Sequence, residues 1–247
     1  MSEASLSRLL LSLAVIAATA TPAFAETVNV AVAANFTAVA EELKTLFEAK
    51  GEHQVELSFG ATGQLYTQIT QAAPFGVFLA ADDTRPQKAI DEGFGVESTN
   101  FIYAEGQLAL YGPGRDLSDG EAALKADFNK LAIADPEAAP YGKAAIETLT
   151  ALGLLETLTP KLVQGENISQ TLQFIESGNA ELGFVAASQV IGKGDQWIVP
   201  AQLHEPISQG AVLLKGGENN PAAVAFLDFL KSNEAVSVIE AAGYTVP

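Results

Sequence analysis

At 247 residues and without a single cysteine, the chain has no disulfide framework and no thiolate metal or redox centre; at this length a buried core suffices to stabilise it. Its formal charge of −17 argues against nucleic acid and against adsorption to anionic lipid as functions. The same charge repels small anions at long range. Screening over roughly 8 Å at physiological salt confines that penalty to the approach and leaves local donors to decide binding.

Residues 1–25 read as a secretory signal. Arg8 precedes the apolar run Leu9 to Ala18, Pro22 breaks it, and Ala23-Phe24-Ala25 is a small-x-small cleavage site after Ala25. The remainder has no second long apolar segment, so the expectation is an exported, periplasmic, soluble chain.

From there strand and helix patterns alternate, which predicts an α/β protein with largely parallel sheet. Val28 to Ala34 is a buried strand running through Asn35-Phe36-Thr37 into a helix over residues 38–47. Val55 to Phe59 repeats the device, passing through Gly60-Ala61-Thr62-Gly63 into a helix from Gln64. Val77-Phe78-Leu79 is a third strand, followed by a helix from Thr84 with Pro86 in its first turn. Phe101 to Tyr103 and Gln107 to Tyr111 are read as two strands split by Ala104-Glu105-Gly106. A second set follows: strand Leu131 to Ala134, helices from Tyr141 and Ile168, and strands Leu182 to Val185 and Trp197 to Val199. Strand Ile207 to Leu214 and helices from Pro221 and Asn233 complete the chain.

Two βα sets with a leftover strand and two helices predict two lobes. Lobe 1 comprises residues 26–104 and 206–247, lobe 2 residues 105–205. The hinge candidates are Ala104-Glu105-Gly106 and His204-Glu205-Pro206. One large α/β domain is the alternative from pattern alone.

The strand-to-helix junctions carry the chemistry. Each leaves backbone N–H groups without an intrahelical partner at the positive end of a helix dipole, which makes an anion cradle without lysine or arginine. In the second set, Pro140 and Gly142 leave the Tyr141 N–H free to aim outward. Asn167 with Gln170 forms a capping box that leaves the Ile168 N–H unpaired. Read alone, Asn35 and Thr62 are equally ordinary helix caps. Asp82-Asp83 reads as a cap for the helix at Thr84 rather than a metal pair. His53 and His204 lie in no ligand spacing, and no nucleophile elbow, phosphate loop or dinucleotide fingerprint is present.

Taken together, Ala33-Ala34-Asn35-Phe36, Ser58 to Gly63, Ala73-Pro74-Phe75 with Val77 to Asp82, Asp135-Pro136 with Pro140-Tyr141-Gly142, Leu182 to Val185 and the ending Gly243-Tyr244-Thr245-Val246 resemble periplasmic molybdate-binding proteins, the solute receptors of ATP-driven (ABC-type) importers. The resemblance implies the two-lobed periplasmic-binding-protein fold, each lobe a mostly parallel sheet flanked by helices, joined by two crossing segments. It also implies a tetrahedral oxyanion, molybdate or tungstate, held in the cleft by neutral donors. By position these are Asn35 (side chain and N–H), Thr62 (hydroxyl and N–H), and the N–H groups of Tyr141 and Ile168. The chain departs from the common pattern at Gly76, Ala80 and Ala186. The last lacks a tyrosine hydroxyl that some members supply, so the Tyr141 hydroxyl is a candidate replacement. The implied protein is a monomer that is not an enzyme and has no catalytic residue, cofactor or metal-cation ligand. Its partners are the oxyanion and a membrane permease. The rivals are a receptor for another oxyanion such as sulfate or phosphate, or an exported enzyme acting on an anionic substrate.

Overall fold

The computed structural model describes residues 26–51, 53–194 and 196–247; the expected signal segment and its cleavage after Ala25 lie outside them. Apolar residues alternate at strand period and both phases are buried, so each sheet is covered by helices on both faces. In the first sheet Val28, Val30 and Val32 of β1 (Thr27–Ala33) and Val77 and Leu79 of β3 (Val77–Leu79) face one way. They meet Leu43 and Phe47 of α1 (Thr37–Glu48), Phe226 of α8 (Pro221–Phe229) and Ile239 of α9 (Asn233–Ala241). Ala31 and Phe78 face the other way, onto Leu65 and Ile69 of α2 (Thr62–Thr70) and Ala89 of α3 (Thr84–Asp91).

The order in this sheet is β2-β1-β3-β10-β4, with β2 spanning Gln54–Gly60, β4 Phe101–Gly106 and β10 Ile207–Leu213. The second sheet runs β7-β6-β8-β5-β9: β5 is Leu108–Tyr111, β6 Leu131–Ala134, β7 Leu162–Gly165, β8 Leu182–Ala186 and β9 Gln196–Ile198. The two orders are the same pattern. In each, four strands share a direction and one opposes them, β10 in the first sheet and β5 in the second. Each opposed strand is the one by which the chain enters that sheet from the other. The sheets are therefore mixed, in keeping with mostly parallel lobes.

Three sequence readings need correction. Ala104-Glu105-Gly106 does not split two strands; it continues β4, paired to β10 through Gly106↔Ile207, and only Gln107 separates β4 from β5. The strand β7 was not foreseen, because Leu162-Val163-Gln164-Gly165 is a short, partly exposed edge with little alternation. Two short helices, α4 (Gly120–Lys125) and α6 (Leu155–Leu158), were also missed. The two crossings between the sheets lie side by side, since the first residue of β10 pairs with the last of β4.

Candidate functional site

In both sheets the pair of parallel strands at one end delivers two helix starts to the same place. Asn35 follows β1 and Thr62 follows β2; Tyr141 follows β6, in the first turn of α5 (Pro140–Ala151), and Ile168 follows β7, as the first residue of α7 (Ile168–Glu176). All four line one small pocket, together with Ala33, Ala34, Gly60, Ala61, Ala81, Ala139 and Pro140. The structure thus brings together the four residues singled out in the sequence. Its cavity volume is about 10 Å³, room for about one water-sized sphere. No lysine, arginine or carboxylate lines it. A far larger cleft of about 870 Å³ shares Ala81 and Pro140 with it and is edged by charges of both lobes, including Asp82, Arg85, Glu137 and Lys143.

The local chemistry of each start follows from its residues. Ala33 and Ala61 occupy the cap positions, so neither the short 3₁₀ turn at Ala34–Phe36 nor α2 has a side-chain cap. Asn35 and Thr62 are therefore not caps. The Thr62 Oγ1 instead accepts the N–H of Ala81 at 3.0 Å, across from its own helix. Its own proton has no protein acceptor among the described residues, and the side chain is 1% exposed. A hydroxyl that accepts from an N–H keeps its proton for another partner, so Thr62 can donate to the pocket. At α5 the proline at the first helical position contributes no N–H, and Gly142 and Lys143 both donate to the Ala139 carbonyl, leaving the Tyr141 N–H over. Gly142 is required by space: a Cβ there would stand 2.2 Å from the Ala134 carbonyl oxygen. At α7 the Asn167 Oδ1 accepts from Ser169 and Gln170, both at 3.0 Å, and the Ile168 N–H is left unpaired. The anticipated capping box is altered in one half, since Gln170 reaches the Glu166 N–H at 2.7 Å rather than that of Asn167.

Two side chains behave differently from the sequence reading. Both N–H bonds of the Asn35 amide are already engaged, to Gln209 Oε1 at 2.7 Å and the Tyr244 hydroxyl at 3.0 Å. The Tyr141 hydroxyl is fully buried, finds no partner of good hydrogen-bond geometry among the described residues, and lies against Gly106 at the crossing between sheets, near the Tyr244 hydroxyl. Burial pushes the hydroxyls of Tyr103, Tyr141 and Tyr244 above the ordinary tyrosine range, so all three stay protonated. Asp82 rather than Asp83 caps α3, accepting the Arg85 N–H at 2.9 Å and pairing with its guanidinium. His53 bonds to Glu26 and Gln54 and stacks on Phe47, the His204 ring lies 2.7 Å from the Glu205 carbonyl oxygen, and neither histidine lines the pocket. No cluster of three or more potential metal ligands occurs among the described residues.

The two lobes are fastened around the pocket by bonds that cross between them. The Gly63 N–H donates to the Ala138 carbonyl at 2.8 Å and Arg85 Nη2 to the Glu137 carbonyl at 2.8 Å. Ser169 Oγ donates to the Ala34 carbonyl at 3.0 Å, and the hydroxyls of Ser188 and Tyr244 are 2.8 Å apart. Gly63 permits this approach, because a Cβ there would stand 3.1 Å from the Ala138 Cα. Ser169, Ser188, Gln209 and Tyr244 were not singled out as site residues in the sequence, although Tyr244 stands in the ending that carries the resemblance and Gln209 precedes a glycine inside an otherwise buried strand.

Comparison with known proteins agrees with this architecture. The family described as bacterial extracellular solute-binding protein matches residues 28–245. The chain is 53% identical over 237 residues to the molybdate-binding protein ModA of Rhodobacter capsulatus, covering 94% of each chain. It is 49% identical over 247 residues to its namesake from Azotobacter vinelandii, covering 97% of this chain and 98% of that one. The solved structure of the Azotobacter vinelandii periplasmic molybdate-binding protein superposes with a TM-score of 0.85 at 36% identity, over 89% of this chain and 99% of the other.

Proposed function

The chain belongs to the bacterial extracellular solute-binding proteins, and from that premise we propose that it is a periplasmic receptor that binds molybdate, and tungstate nearly as well, in the cleft between two lobes. It hands the anion to the membrane permease of an ABC importer and acts as a monomer without cofactor. The lobes are residues 26–104 with 206–247, and residues 105–205. They move about the two adjacent crossings at Ala104-Glu105-Gly106 and His204-Glu205-Pro206.

The observation that carries this reading is the Thr62 hydroxyl proton, which has no protein acceptor among the described residues, in a pocket lined by unpaired N–H groups. The hydroxyl accepts the Ala81 N–H, and its own proton is left for the pocket. The N–H groups of Asn35, Thr62, Tyr141 and Ile168 stand at helix starts, and no protein group accepts from them among the described residues. A tetrahedral oxyanion carries only acceptors. Its charge is met by dipoles and charge-assisted hydrogen bonds worth roughly 1.5–3 kcal/mol each, without a buried counter-ion. Phosphate with a proton would want a strong acceptor, and no carboxylate lines the pocket. Size then separates molybdate from sulfate: the cavity of about 10 Å³ must widen to admit either anion, and a box closed around the longer metal–oxygen bonds leaves slack around a smaller one.

Thermal unfolding tests the reading. Molybdate and tungstate at a hundredfold excess over Kd should each stabilise the protein by about 2.7 kcal/mol. Sulfate and phosphate at the same concentration should leave the melting temperature unchanged. Equal stabilisation by sulfate would replace molybdate with a smaller oxyanion, and product formed from an anionic ester on long incubation would make the protein an enzyme.

A further inference from the structure

Behind the pocket, on the side of the crossing strands, lies a buried polar cluster that oxyanion binding alone does not explain. Gln209 sits on β10 at a bulge, where the register with β4 shifts between Gln209 and Gly210, and it is 0% exposed. Its Oε1 accepts from Asn35 Nδ2 at 2.7 Å and from the Tyr103 hydroxyl at 3.3 Å, while that hydroxyl also lies 3.1 Å from the Ala80 carbonyl oxygen. The Tyr244 hydroxyl lies 3.0 Å from Asn35 Nδ2 and 3.1 Å from the Asn35 carbonyl oxygen. Two members of the cluster lack partners: Gln209 Nε2, with two protons, and the Tyr141 hydroxyl. Both converge on Gly106, where a Cβ would stand 2.9 Å from the first and 2.2 Å from the second. The remaining end of the Asn35 amide, Oδ1, has no protein partner among the described residues, and Asn35 lines the pocket. As drawn, then, the amide spends both donors on the cluster and keeps an acceptor in reserve, the wrong end for an oxyanion.

The two ends of a primary amide occupy interchangeable positions, and a half-turn about the terminal torsion exchanges them. Turning Asn35 alone would set its oxygen against Gln209 Oε1; turning Gln209 alone would set two NH₂ groups together. Turning both restores a bond at the same 2.7 Å, now from Gln209 Nε2 to Asn35 Oδ1. The second Gln209 proton then faces the Tyr103 hydroxyl at 3.3 Å, which keeps its own bond to the Ala80 carbonyl. Tyr244 donates to either Asn35 oxygen. The buried Nε2 is thereby satisfied, Gln209 Oε1 turns to the side of the Tyr141 O–H, and Asn35 Nδ2 is released to the ligand. An unsatisfied buried donor is costly, so the turned arrangement is the better partner for an anion and for the cluster alike.

We propose that Gln209 is a positioning residue for the oxyanion: it sets which end of the Asn35 amide faces the ligand, the two amides being held as a coupled pair with Asn35 Nδ2 toward the pocket. The coupling also ties ligand to hinge, because Gln209 and Tyr103 stand on the adjacent strands β10 and β4 that carry the chain between sheets. This inference rests on the oxyanion-receptor reading.

The test is a double-mutant cycle read by calorimetric titration with sodium molybdate. Gln209→Met keeps the volume and removes the amide; it should weaken binding about tenfold although it touches no ligand. Asn35→Ser replaces the amide by a hydroxyl that rotates without help. In that background Gln209→Met should change affinity by less than twofold. An equal loss in both backgrounds, or no loss in either, would overturn the proposal, since a merely structural glutamine acts independently of residue 35. Should Gln209→Met fail to fold, side-chain amide NMR of the wild-type protein decides: saturating molybdate should shift the Asn35 Nδ2 protons strongly and slow exchange of the Gln209 pair. Unmoved Asn35 protons would sink the idea. Failure of the underlying reading is distinguishable, because molybdate would then leave the wild-type melting temperature unchanged.

Discussion

The two halves of the pocket occupy the same topological positions and are built in opposite ways. In the first sheet the starts after β1 and β2 have alanine at the cap and place a polar side chain, Asn35 or Thr62, at the pocket. In the second sheet the start after β6 also has alanine at the cap but takes Pro140 at its first position, the start after β7 has the Asn167 cap, and the residues at the pocket, Tyr141 and Ile168, offer only backbone. The Tyr141 ring and the Ile168 side chain are core, buried with Leu131, Ile133 and Leu149. The first half has a composition that substitution can tune. The second is fixed by helix geometry, and only a change to the backbone removes its donors.

The sharpest break of that contrast is Ile168→Pro. Proline is tolerated at the first helical position, and Asn167 before it is already extended (φ −152°, ψ 174°). The substitution deletes one N–H and puts ring carbon where the anion accepts, so molybdate affinity should fall by about a hundredfold or more, with helicity by circular dichroism retained. Retained affinity would remove Ile168 from the pocket's chemistry. Next in size is Thr62→Ala, which deletes the donor of the first half and should weaken binding by about 1.5–3 kcal/mol. It also frees the Ala81 N–H, so a modest fall in apo melting temperature should accompany it.

Tyr141→Phe probes the same contrast from the other side. It keeps the N–H and removes a buried hydroxyl without a partner. Affinity should change less than about threefold, the melting temperature should not fall, and a tenfold loss would make the hydroxyl part of the binding shell. Across roughly pH 6 to 8.5 affinity should be flat within about threefold, since no titrating group lines the small pocket except Tyr141. Burial raises the hydroxyls of Tyr103, Tyr141 and Tyr244, so none loses its proton in that window. A tenfold change measured by calorimetry would place a titrating group in control.

The smallest effect belongs to the second lobe's far end. The Asn129 side chain, helped by the N–H groups of Asn129 and Lys130, holds the Glu181 carboxyl down at about 2. A depressed carboxyl contributes stability that is complete above its unfolded value near 4.3 and is lost as pH falls toward 2. The site is exposed to solvent, which screens the gain. Glu181→Gln should lower the melting temperature at pH 7 by about 1–3 °C and flatten the decline below pH 4; an unchanged acid limb would assign that decline to other carboxylates.

The sequence by itself determined the α/β alternation, the two sets of strands and the helix starts, because these are local matters; the choice of Asn35, Thr62, Tyr141 and Ile168 among those starts came from the family resemblance. Strand period, a proline or asparagine at a cap, and a small residue at a turn act over a few positions of chain. The long β4, the edge strand β7 and the opposed directions of β5 and β10 needed partners far away in sequence, as the pairing of Gly106 with Ile207 illustrates. The same holds for the destinations of two side chains. Asn35 reads as a donor to a ligand, yet its amide meets Gln209 and Tyr244, 174 and 209 positions away. Tyr141 reads as a possible second donor, yet its ring length carries the hydroxyl past the pocket to Gly106. A backbone N–H at a helix start is aimed by the helix itself and is legible in sequence. A side-chain donor is aimed by whatever packs around it, and only the tertiary structure decides that.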